Sequence, residues 1–129
     1  KPWLPVPDSY KTHNVVSEEK DPTSILNFYK RLLALRHTDP ALLEGEYIAL
    51  NEDDANVLSY LRRYKNEAVL VVLNMSGTEQ HLSFDLAAKG FGRAKPSALL
   101  TTLKAAPTSL TDISMEPFGV YIAKVTTGK

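Results

Sequence analysis

Between Ile25 and Leu35 the apolar residues fall at 25, 26, 28, 29, 32, 33 and 35. This 3.6-residue period stops before Thr38-Asp39-Pro40 and predicts a long helix. Asp21-Pro22 offers an N-cap followed by a proline at the first helical position, so the helix is expected within residues 21–44, starting there. At 100° per residue the apolar positions cover about half of the helix circumference, wider than a surface helix needs. Such a helix requires two packing partners. Arg36 projects from this same arc in its last turn, where a buried guanidinium is expected to hold structure by meeting a carboxylate or free carbonyls. Pro40–Glu44 should add one further turn, closed by Gly45.

Upstream, residues 1–20 show no sustained period, and Pro2, Pro5 and Pro7 forbid a helix through the first stretch. That segment is expected to be an extended arm carrying Trp3, Leu4 and Val6, apolar side chains that need a surface to pack on. Downstream of Gly45 the period changes from 3.6 to 2. Strands are expected at 46–50, 57–64, 68–74, 79–84, 97–102 and 118–125, with a weaker one at 111–115. Residues 45–129 therefore read as a mainly β domain, an antiparallel sandwich of about six to eight strands. The run "AVLVVLN" is apolar on both alternating faces, as a central strand would be, and Asn66-Glu67 reads as the hairpin before it. "KGFGRAKP" and "KAAPTS" are loops, and no repeat of 20–50 residues is present.

Composition narrows the function classes. The 129 residues carry 15 basic and 15 acidic side chains, so no summed field recruits nucleic acid or an anionic membrane. With no cysteine there is neither a disulfide nor thiolate chemistry. The longest apolar run, Ala68–Leu73, is too short to span a bilayer. A signal-peptide layout is not seen at the N-terminus; any export signal would lie upstream, and the compartment stays open.

Candidate chemistry is sparse. His13, His37 and His81 lie in an arm, at a helix end and in a strand, without metal-ligand spacing, so no metal or cofactor is expected. Glu18-Glu19 and Asp53-Asp54 read as solvated first-turn and turn charges, since adjacent carboxylates do not face each other across a bond. Ser97 and Ser109 lack a nucleophile-elbow glycine pattern. Asn74-Met75-Ser76 has the form of a glycosylation sequon and is read as incidental. Tyr60, Arg62 and Tyr64 share one face of a strand and, with Tyr47, could form an aromatic platform for a sugar ring. Two readings follow, a carbohydrate-binding module working through Tyr60 and Tyr64, and a sandwich adhesion module. Exposure and coplanarity of the rings discriminate, because binding needs both and structural support needs neither.

"KPWLPVPDSYKTHNV" followed by "DPTSILNFYKRLLALRHTDPALLEGEY" closely resembles the end of the catalytic barrel in α-glucosidases, oligo-1,6-glucosidases and sucrose isomerases of glycoside hydrolase family 13. "MEPFGVYIAKV" is similar to that family's closing strand. The resemblance implies that residues 1–20 match the loop after the eighth barrel strand and residues 21–44 the eighth helix. Residues 45–129 would be the β-sandwich called domain C. Trp3 and Arg36 are then structural. The family's nucleophile, acid/base Glu and stabilising Asp lie on barrel strands upstream, so no catalytic residue carries over. The chain alone is expected to be inactive, a support for the barrel of a retaining, exo-acting α-glucosidase-like hydrolase. Its expected partner is that barrel, and the isolated chain is expected to form a homodimer or exchange arms to cover its outer helical face.

Overall fold

The fold is a computed structural model that describes residues 2–92 and 94–126. Lys1 of the expected arm, Arg93 of the expected "KGFGRAKP" loop and residues 127–129 of the expected sandwich domain lie outside the described residues. The chain divides into two compact units, Lys1–Arg36 and His37–Lys129.

In the first unit residues 2–7 form no helix, as the prolines require, but the rest of the expected arm is not extended. After a single 3₁₀ turn at Asp8–Lys11, a short helix α1 runs over Val15–Lys20. Asn14 accepts the Ser17 N–H at 3.0 Å, and the Ser17 hydroxyl accepts the Asn14 N–H at 3.3 Å. This reciprocal pair starts a helix too short to show a hydrophobic period. The long helix α2, Ile25–Thr38, begins later than expected. Asp21 does not cap it, because its Oδ1 is spent on the Thr23 hydroxyl at 2.6 Å and the Thr23 N–H at 2.8 Å. These bonds, the hydroxyl first, hold the exposed Asp21 carboxyl below its ordinary pKa. Ser24 takes the capping role, accepting the Asn27 N–H at 3.2 Å. Asn27 in turn donates to the carbonyls of Glu18, Glu19 and Asp21, closing the end of α1 onto the start of α2.

The second unit opens with α3, Pro40–Glu44, as the sequence predicts. Gly45 closes it, though not in the left-handed conformation, since its φ is −61°. Glycine is required by contact instead: a Cβ there would meet the Ala41 carbonyl oxygen at 2.3 Å and that of Arg63 at 2.9 Å. Seven strands follow among the described residues: β1 Glu46–Leu50, β2 Val57–Tyr64, β3 Glu67–Asn74, β4 Gln80–Leu82, β5 Lys95–Thr101, β6 Ile113–Met115 and β7 Val120–Thr126. They form a five-stranded antiparallel sheet, ordered β1-β2-β3-β7-β5, and a two-stranded sheet of β4 and β6. The architecture is the expected β-sandwich, with β3 central and its apolar run buried on both faces. The β2–β3 hairpin pairs Tyr64 with Glu67, so the turn is Lys65-Asn66, one residue before the predicted pair. Lys65 takes the positive φ, 56°, that the twist of a two-residue hairpin demands.

Odd positions of β2 and β7 and even positions of β3 point into one core. Leu61, Leu70, Val72, Tyr121 and Val125 meet Phe84, Phe91, Ile113 and Met115 there. At about 25 cal/mol per Å² of apolar surface, each such buried side chain contributes roughly 1.5–3 kcal/mol before entropy is counted. Tyr121, fully buried, donates its hydroxyl to the Pro107 carbonyl at 3.0 Å, which satisfies its polar tip. Asn74 closes one end of the sandwich. Its amide nitrogen donates to the carbonyls of Thr78, Met115 and Glu116, and its oxygen accepts from the Ser76 N–H and hydroxyl.

Candidate functional site

The broad apolar arc of α2 divides lengthwise. Phe28, Leu32 and Leu35 are half-buried, whereas Ile25, Tyr29 and Leu33 are exposed, and Arg36 continues that exposed stripe. Arg36 is therefore not the buried guanidinium the period suggests. Its position in the arc is as predicted, but no residue of α2 reaches full burial. Trp3 is 96% exposed, and Leu4, Val6, Val15 and Val16 are exposed as well. In the first unit the apolar side chains that should be buried are the ones that face outward.

On the sandwich, the structure brings Tyr47, Tyr60 and Arg62 together on the face opposite the core, by pairing Tyr47 with Arg62 and Ala49 with Tyr60. The rings of Tyr47 and Tyr60 lie 5.1 Å apart at 36°, tilted rather than coplanar. Tyr60 and Tyr64 are both half-buried, and Lys65 lies over the Tyr64 ring at 5.1 Å. Arg62 reaches the Ala41 carbonyl with its Nε at 3.4 Å. This face is thus in part the seat of α3, and the flat platform that Tyr60 and Tyr64 could have formed for a sugar is not built.

Arg62 apart, the residues that seat α3 were not singled out from the sequence. Asp39 caps the helix, its Oδ1 accepting the Ala41 N–H at 2.9 Å, and its Oδ2 lies 3.7 Å from Lys124 Nζ. Lys124 also pairs with Glu67 at 2.8 Å. The Glu67 hydrogen bond, aided by the charge of Asp39 and opposed by burial, raises the Lys124 pKa. The signal was present: Asp39-Pro40 carries the same cap-and-proline pattern read at Asp21-Pro22, and here the rule holds. His13, His37 and His81 are dispersed, and no group of three or more metal-ligating side chains occurs among the described residues. Among them, too, no helix is long and apolar enough to cross a membrane.

Comparison with known proteins divides the chain near Gly45. The maltogenic amylase C-terminal domain matches residues 47–122, and the alpha amylase catalytic domain matches residues 1–45. A probable alpha-glucosidase of Rhizobium meliloti is 43% identical over 75 residues, 58% of this chain and 13% of that protein. The oligo-1,6-glucosidase of Halalkalibacterium halodurans is 41% identical over 76 residues, 59% of this chain and 14% of its own. Among solved structures, the trehalose-6-phosphate hydrolase of Bacillus licheniformis superposes with a TM-score of 0.84 at 29% identity, over 97% of this chain and 22% of that one. The isomaltulose synthase of Klebsiella sp. LX3 gives 0.83 at 32% identity, with the same two coverages. The chain thus spans less than a quarter of the proteins it matches. It belongs to the alpha-amylase family, glycoside hydrolase family 13, and comprises the C-terminal region found in that family's α-glucosidases and oligo-1,6-glucosidases.

Proposed function

We propose that this chain is the noncatalytic carboxy-terminal portion of an α-glucosidase-type hydrolase that cleaves α-glucosidic bonds with retention, and that it supports the catalytic barrel. One observation carries the reading. The segment that matches a catalytic domain, residues 1–45, contributes the outward-facing stripe of Ile25, Tyr29 and Leu33 and the exposed Trp3. These are packing residues without a packing partner, as expected of a piece that completes a larger core. Five of its carboxylates have partners within the chain: Asp8 pairs with Lys11, Glu18 accepts the Leu26 N–H, Glu19 pairs with Lys30 at 2.9 Å, Asp21 is engaged by Thr23 and Asp39 caps α3.

The test is the native polypeptide that contains this sequence, captured with an antibody raised on the chain. Its intact mass is expected to be several times 14.3 kDa, and it should release glucose from α-glucosides. Deleting the sandwich from it should lower thermal tolerance. A native species of the chain's own mass, soluble and monomeric, contradicts the reading.

A further inference from the structure

We propose that the cleft at the β1–β2 end of the sandwich binds a short, uncharged gluco-oligosaccharide, a proposal that rests on the glucoside chemistry inferred above. The cleft measures about 380 Å³, and its lining includes the apolar Tyr47 and Met75 and the polar Asn51, Glu52, Asp54 and Asn56. That volume falls within the range of about 300–1,000 Å³ typical of small-ligand sites.

Two features point to a sugar. One face of the Tyr47 ring is occupied by Tyr60, yet Tyr47 remains 54% exposed, which leaves aromatic surface for a second ring. In the same lining, Glu52 and the side-chain amides of Asn51 and Asn56 make no hydrogen bond within the described residues. They supply both acceptors and donors to hydroxyl groups. The turn that carries them is fixed. Asp54 Oδ1 accepts the N–H groups of Asn56 and Val57 at 2.8 and 3.0 Å, and the Asp54 N–H bonds the Asn51 carbonyl at 3.0 Å. The Met75 N–H then ties the next loop to the Asn56 carbonyl at 2.7 Å.

Charge and polarity narrow the ligand. Two carboxylates and no cation in the lining disfavour an anion. The apolar Tyr47 and Met75 offer a hydrated metal ion nothing. A pyranose, with an apolar C–H face and a hydroxyl edge, suits a lining that mixes aromatic and hydrogen-bonding groups.

The experiment is a titration of the ¹⁵N-labelled chain with maltose and isomaltose, followed by amide shifts, with sorbitol as a polyol lacking the ring. Shifts are expected at residues 47–59 and at Met75 with either disaccharide and not with sorbitol. Tyr47→Ala should weaken binding about tenfold, a loss of the size an aromatic contact provides. Glu52→Gln should weaken it less. Because Tyr47 also packs on Tyr60, Tyr47→Phe serves as the folding control and should keep the response. Absence of localised shifts in the tens of millimolar, an equal response to sorbitol, or a response unchanged by Tyr47→Ala each overturns the proposal. Hydrolysis of the disaccharide in the same tube would instead overturn the noncatalytic reading, so the two failures are distinguishable.

Discussion

Lys124 Nζ on β7 lies 3.7 Å from Oδ2 of Asp39, the carboxylate whose other oxygen caps the first turn of α3. One side chain of the sheet thereby holds the N-terminus of the helix that precedes it. Asp39 is 8% exposed, so removing the ammonium leaves a carboxylate that water reaches poorly. Lys124→Met is expected to cost about 1–2 kcal/mol, below the loss for a fully buried pair because Lys124 itself keeps contact with solvent. Asp39→Asn should cost less, since an amide oxygen still caps α3. Urea unfolding of the chain measures both.

The two raised pKa values set an alkaline limit. Burial raises the Tyr121 phenol above 10.0, and the Glu67 hydrogen bond, foremost, raises Lys124 above 10.5. In both cases the folded state holds its proton more tightly than the unfolded state. Their contribution is complete below about pH 10 and is lost as pH rises through the folded-state values. The urea midpoint should therefore fall steeply above pH 10. Tyr121→Phe should cost about 1 kcal/mol at neutral pH, for the lost bond to the Pro107 carbonyl, and flatten the alkaline decline.

Gly45 and Gly90 provide a contrast between contact and conformation. Gly45→Ala is expected to cost about 3 kcal/mol or more, because its Cβ would lie 2.3 Å from the backbone oxygen of Ala41. Gly90→Ala meets no atom within 4 Å but must adopt φ +86°, a cost of about 1 kcal/mol. Thermal melts of the two variants should separate accordingly.

Asn74 has the form of a glycosylation site and the environment of a core residue. It is 2% exposed, and the amide nitrogen that a glycan would occupy already serves three carbonyls. Expression in a secreting eukaryotic host should leave it unmodified by mass spectrometry. Asn74→Ala should cost about 3 kcal/mol, because it strands the buried Met115 carbonyl and removes the bonds to Thr78, Glu116 and Ser76 at the same time.

The open stripe of Ile25, Tyr29 and Leu33, with Trp3, should drive association of the isolated chain. Covering an apolar patch is favourable at about 25 cal/mol per Å² before association costs. Sedimentation at about 100 μM is expected to show a dimer or larger species, with Trp3 emission shifted to the blue. A strict monomer with fully solvated Trp3 contradicts this.

Strand positions were legible because the alternation of apolar residues records which face is buried: β1 and β2 lie where the period places them. Terminal positions were not, since Lys65 rather than a residue suited to positive φ turns the β2–β3 hairpin. Two Asp-Pro pairs look alike in sequence, yet Asp39 caps a helix while Asp21 is captured by Thr23. Arg36 shows a different limit. A periodic arc says which side chains can be buried, but burial itself needs a second surface, and that surface is not encoded in the arc. The α3 seat and the Tyr47 cleft depend on register between strands, which no single segment specifies.

The central claim is that this chain performs no glycosidic chemistry by itself. Hydrolysis of p-nitrophenyl α-glucopyranoside by the purified chain tests it most directly. Release of nitrophenol at the rate of a buffer blank is predicted; turnover that survives purification and is abolished by substituting a single carboxylate of this chain would contradict the account.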